Sequence, residues 1–208
     1  MKFIVYLILA MCFSAANAGS YEDYFTAIER DDAATIRQLF GRGFDPDTRD
    51  PKGQVGLFLA LRSQSLKAAE AIAEHPRLNV DAANEAGETP LMMAALRSRL
   101  DWCRKLVARG AKVHRDGWTP LHYAAAGAAK DVVAWFLAQP GVVVDARSPN
   151  GTTPLMMAAG YGTEDSAVLL LSRGADPSLR NQKGMTAADF ARSVGRESLA
   201  KRLIAAPR

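Results

Sequence analysis

Thr89 to Ala94 reads TPLMMA, the same six residues recur at Thr153 to Ala158, and a relative, TPLHYA, lies between them at Thr119 to Ala124. The three copies begin 30 and then 34 residues apart. A glycine stands two residues ahead of each threonine (Gly87, Gly117, Gly151), and the same beat reaches outward to Gly53 and Gly184, with spacings of 34, 30, 34 and 33. Self-similarity at a period in the low thirties marks a chain built of stacked repeats.

Within a good copy the order is Gly-x-Thr-Pro-Leu, an alanine-rich segment, a polar break, and a second apolar segment ending near Gly-Ala. Threonine is a strong helix N-cap, and proline fits the first helical position, where its missing N–H is no loss. Thr89-Pro90, Thr119-Pro120 and Thr153-Pro154 therefore each predict a helix start. Paired alanines follow (Ala94 and Ala95, Ala124 and Ala125, Ala158 and Ala159), small enough for neighbouring helices to approach closely. The second segments, from Trp102, Val132 and Ala167, predict outer helices, two of them closed by Gly110 and Gly174 in the positive-φ conformation common after helix ends. Turn-rich stretches such as DPDTRDPKG, VDARSPNG and DPSLRNQKG separate one helix pair from the next as projecting hairpins.

GWTPLHYAAA at Gly117 to Ala126 and GTTPLMMAAGYG at Gly151 to Gly162, with SRGADPSLRNQKGMTAADFA leading into the last unit, resemble ankyrin repeats. The resemblance implies an all-α repeat solenoid over 19–208, of six helix-turn-helix units starting near Ser20, Asp50, Asn84, Arg115, Pro149 and Asn181. The second unit departs from the pattern, with Val55-Gly56 in place of Thr-Pro, and the first and last units read as caps. The junction ARGAKVHRDGWTP is three residues short, which fits either a tolerated deletion in a surface loop or a notch for a partner.

The first 18 residues carry a lysine at position 2, a short apolar run and Ala16-Asn17-Ala18, the pattern of a secretory signal peptide cut after Ala18. The apolar run is well below the ~20 residues needed to span a bilayer. Lipidation at Cys12 is disfavoured because Met11 is bulky for the residue preceding a lipidated cysteine. The expectation is an exported, periplasmic chain that is monomeric and makes no stable membrane insertion. After cleavage Cys103 is the only cysteine, so no internal disulfide can form. The charge balance, 25 basic against 22 acidic residues after cleavage, includes no Lys/Arg run that would suggest nucleic acid.

No catalytic, metal or cofactor constellation is legible. His75, His114 and His122 lack zinc-ligand spacing, and serines and carboxylates form neither a nucleophile elbow nor a paired acid site. The resemblance implies that His122 hydrogen-bonds the neighbouring turn. Cys103 reads as a buried apolar thiol, and Met92-Met93 and Met156-Met157 as core filler.

The resemblance further implies a curved stack that binds another exported protein through its concave face of hairpin tips and first helices. Gln54, Arg62, Glu88, Arg97, Arg115, Trp118, Thr152, Tyr161 and Met185 fall on that face. A scaffold and an inhibitor or immunity protein neutralising a secreted toxin or enzyme would use the same surface. Amino-terminal sequencing of the exported protein is expected to begin at Gly19; a lipidated start at Cys12 would contradict the soluble form.

Overall fold

The computed structural model describes residues 19–206, so the signal segment expected at 1–18, with Cys12, lies outside the described residues. The described chain is helical: α1 (19–29), α2 (Ala33–Gly41), α3 (Gly56–Ser63), α4 (Leu66–Ala73), α5 (Pro90–Leu96), α6 (Leu100–Ala108), α7 (Pro120–Ala126), α8 (Lys130–Leu137), α9 (Pro154–Gly160), α10 (Glu164–Ser172), α11 (Ala187–Ser193) and α12 (Glu197–Ala205). Its only β pairing among the described residues is an isolated bridge between Arg49 and Val55. The six antiparallel pairs form the all-α repeat architecture. They divide into two compact bodies between Glu85 and Ala86, α1–α4 in the first and α5–α12 in the second.

The helices from α2 onward have seven to nine residues, too short to persist alone in water. Capping starts them and packing keeps them. In α5 and α9 the hydroxyls of Thr89 and Thr153 accept from the Met92 and Met156 amides at 3.4 and 3.3 Å. In α11 the Thr186 hydroxyl accepts from the Asp189 amide at 3.3 Å, and the Asp189 carboxylate accepts in return from the Thr186 amide at 2.9 Å, a reciprocal capping box. Within the second body α5, α7, α9 and α11 pack successively side by side. Ala94, Ala95, Ala124, Ala125, Ala158 and Ala159 are fully enclosed there. At the α9–α10 turn the approach is closer still: a Cβ on Gly162 would lie 1.9 Å from the Ala125 carbonyl oxygen. Leu106, Val133, Phe136 and Leu170 fill the space between inner and outer helices.

The hairpins use one hydrogen-bonding scheme repeatedly. Residue pairs 50/54, 148/152 and 181/185 are bonded through N–H to carbonyl at 2.9, 3.0 and 3.0 Å, and Gly53, Gly151 and Gly184 close each turn at φ near +70 to +77°. Asp50, Ser148 and Asn181, at the same register, accept from the amide of Gln54, Thr152 and Met185. Arginine then ties one hairpin to the next. Arg49 donates to the Ala83 carbonyl at 2.8 Å in the first body, and Arg147 donates to the Arg180 carbonyl at 2.5 Å in the second. Asp47 and Asp145 accept from the amides of Asn79 and Asp176 at 3.1 Å and 3.1–3.2 Å. Burial raises the pKa of both carboxyls.

In the first body the departure at Val55-Gly56 has a steric cause. A Cβ on Gly56 would meet the Tyr24 hydroxyl at 2.1 Å, so neither proline nor any other side chain fits at the start of α3. Tyr24 is wholly buried, donates to the Pro46 carbonyl at 3.2 Å, and stacks with Phe25, Phe40 and Phe44 at centroid distances of 5.2, 5.9 and 4.9 Å.

Leu170 is fully buried and Arg97 exposed, so Leu170→Ala should cost ~2–5 kcal/mol and Arg97→Ala within about 0.5. Chemical denaturation of the two variants checks it, and equal losses would contradict the assigned helix faces.

Candidate protein-binding face

The residue preceding each helix-starting threonine sits at the base of a hairpin, beside the exposed flank of the first helix. Gln54, Glu88, Trp118, Thr152 and Met185 share that register position. Four residues after the threonine, or after Val55, come Leu59, Met93, Tyr123, Met157 and Phe190, one helical turn along the same flank.

In the second body these two rows, with Tyr161, enclose a hollow of about 420 Å³ lined by Trp118, Asn150, Thr152, Met157, Tyr161, Asn181, Lys183, Met185, Phe190 and Ser193. Tyr161, at the end of α9, is 65% exposed and meets Phe190 edge to face at 6.5 Å. Trp118 is half-buried, its ring edge-on to His122 at 5.2 Å and Tyr123 at 6.3 Å, so it supports the stack as well as facing out. Thr152 was expected as a surface contact, and here the structure corrects the sequence. The residue is 2% exposed, its amide donating to the Ser148 hydroxyl and its carbonyl accepting from the Ser148 amide.

The other expected face residues lie outside the hollow. The Glu88 carboxylate accepts from the Tyr123 hydroxyl at 2.9 Å; burial first, then this carboxylate, raises the tyrosine pKa. Arg97 is exposed at the C-cap of α5. Arg115, in the shortened loop, is half-buried with its Nη1 enclosed and without a hydrogen-bond partner. In the first body Arg62 donates to Gln54 Oε1 at 2.9 Å and borders a separate cleft of about 500 Å³, whose lining includes Tyr21, Phe25, Leu59, Glu22, Glu29 and Asp50. Met157 and Phe190 were missed from sequence, where Met157 read as core filler. Their signal was the common register, four residues after the cap, shared with the half-exposed Leu59 and Tyr123.

His122 and Cys103 are structural. His122 Nδ1 accepts from the Thr119 amide at 3.1 Å, so the proton resides on Nε2, which donates to the Thr152 carbonyl at 3.0 Å. The ring thus caps its own helix and holds the next hairpin. Burial lowers its pKa to about 4. Cys103 is fully enclosed on α6, and burial pushes its thiol up to about 12, far from the thiolate chemistry of reactive cysteines. Among the described residues no group of three or more His, Cys, Asp or Glu could hold a metal, and no helix is long and apolar enough to cross a membrane.

The family profile described as ankyrin repeats, in three copies, matches residues 25–116, 78–148 and 110–181, and the chain belongs to the ankyrin-repeat family. Ankyrin repeats are protein-interaction modules. Human neurogenic locus notch homolog protein 4 is 44% identical over 93 residues, 43% of this chain, and the chicken nuclear factor NF-kappa-B p105 subunit is 28% identical over 155 residues, 72% of this chain. The chain spans only 5% and 16% of the length of those two relatives. Among solved structures, similarity extends to a chain in the complex of a predatory endopeptidase from Bdellovibrio bacteriovorus with an immunity protein. The TM-score is 0.72 at 28% identity, covering 88% of this chain and 96% of that one. An ankyrin repeat domain from Acinetobacter baumannii gives a TM-score of 0.68, also at 28% identity, with the same coverage.

The pKa of His122 is lower in the folded chain, about 4, than the 6.5 of a free histidine, so the unfolded chain takes up the proton first as pH falls. The histidine's stabilising contribution is complete above pH ~6.5 and lost on going down to ~4, on the order of 3 kcal/mol. Denaturation at pH 7 and 4 should show wild type losing more stability than His122→Gln, and parallel losses would contradict the neutral buried ring.

Proposed function

We propose that this chain is a non-catalytic docking module of the bacterial envelope that binds another exported protein through its hairpin tips and first-helix flanks. The hollow carries the reading: three aromatic side chains and two methionines converge there, and Tyr161 among them is left 65% exposed. Aromatic anchors of this kind dominate binding energy at protein interfaces. Arg147 ties one hairpin to the next through the Arg180 carbonyl, and Arg180 and Asn181 brace their own hairpin at Gly184 and Met185, which orders the face before any partner arrives. The amino-terminal signal pattern supports export, and an exported chain meets its partners outside the cytoplasm.

A second reading, that the bound protein is an enzyme or toxin held inactive, is favoured by the similarity to a chain from the endopeptidase–immunity protein complex over nearly that chain's whole length. A scaffold leaves its partner active, whereas an inhibitor suppresses it in proportion to the complex formed.

Capture from an envelope extract with the mature chain as bait tests binding, and assay of the captured protein with and without the bait separates the two roles. Tyr161→Ala combined with Met185→Ala should reduce capture at least about tenfold while shifting the melting temperature by no more than about 5 °C. Undiminished capture by the folded double variant would remove this face from the interface, and substrate turnover by the chain itself would overturn the non-catalytic reading.

A further inference from the structure

We propose that the hollow of the second body receives an aromatic or branched apolar side chain from an acidic segment of the partner protein; this rests on the docking reading above and names what the face recognises. Three observations carry it. The first is the floor. Trp118, Met157, Tyr161, Met185 and Phe190 present rings and thioethers around about 420 Å³, and methionine adapts its shape to the side chain it covers.

The second is the polar rim. Lys183 is the one charged residue lining the hollow among the described residues, and it is exposed. Asn150 Oδ1 accepts from Thr152 N–H and from the Ser148 hydroxyl, and Asn181 Oδ1 accepts from the amides of Lys183 and Met185. With both carbonyl oxygens committed to the hairpins, the two side-chain amides retain N–H donors. A cation and amide donors around an apolar floor match carboxylates flanking an apolar anchor.

The third is the charge of the body that carries the hollow. Residues 86–208 hold 17 Lys and Arg against 10 Asp and Glu, a net of +7, whereas 19–85 hold 8 against 12, a net of −4. A net-positive body steers acidic segments to itself and repels basic ones.

A phage-displayed library of random twelve-residue peptides, panned on the full mature chain, supplies the probe; enriched peptides are then synthesised and titrated. The expected enrichment is for peptides combining an aromatic or branched apolar residue with two or more Asp or Glu. Their affinity should fall at least about tenfold with Lys183→Glu and with Tyr161→Ala, both at exposed positions, and on replacing the peptide's apolar residue by alanine. Enrichment of basic or uncharged peptides, or binding indifferent to both substitutions, overturns the inference while leaving protein docking in place. Tighter binding of oligothymidylate than of any enriched peptide overturns it in favour of nucleic acid. No enrichment on the folded chain, together with unchanged partner capture by the Tyr161→Ala, Met185→Ala variant, overturns both the inference and the proposed face.

Discussion

The close approach of successive first helices is the constraint on which the remaining structure depends. Each is a turn or two long and would not persist alone, so it survives only where a neighbour covers its inner flank. The enclosed alanine pairs at 94–95, 124–125 and 158–159 permit that contact, and Gly162 permits one closer than any side chain would allow. Leu91, Met92, Leu155 and Met156 of these helices are buried with the alanines, while Met157 and Phe190 line the hollow beside the hairpins. The packing requirement thus decides where apolar surface remains available for a partner.

Hairpin order follows from the same spacing. Once the helices fix the distance between repeats, arginine and aspartate side chains can reach the backbone of the next loop, as Arg49, Arg147, Asp47 and Asp145 do. His122 performs the equivalent task from inside, capping α7 with one nitrogen and holding the Thr152 carbonyl with the other. A buried imidazole between an amide and a carbonyl has its proton position determined by those partners, and burial keeps it neutral at pH 7. The polar side chains of the motif are mostly occupied in building the face, and Tyr161 and Lys183 project beyond it.

Departures from the repeat pattern have local physical causes. Gly56 stands where the pattern has proline because the Tyr24 ring occupies the volume a side chain would need. The shortened loop before Trp118 brings Gly117 seven residues after Gly110, where ten separate Gly43 from Gly53 and Gly174 from Gly184. Its residues 111–118 contain no hydrogen-bonded turn of the kind seen at 50–53, 148–151 and 181–184. Nothing in the structure supplies a partner for the enclosed Nη1 of Arg115 in this segment.

The sequence by itself determined the helix pairs and the hairpins, because capping threonines, glycines at fixed offsets and alanine pairs act over a few residues and repeat with the period, while the structural role of His122 was what the family resemblance implied. It also placed Trp118 and Met185 at one register position, since equal register in a repeat means equal position. Tertiary structure alone decided depth. Thr152 occupies the same register as Trp118 and Met185 yet is buried, and Trp118 is half-buried, because exposure depends on the side chains that surround each copy. Met157 reads as filler in the hexapeptide it shares with Met93, yet Met93 is enclosed and Met157 lines the hollow. The two hexapeptides are identical, so the difference between the methionines arises from the neighbouring repeats that surround each copy.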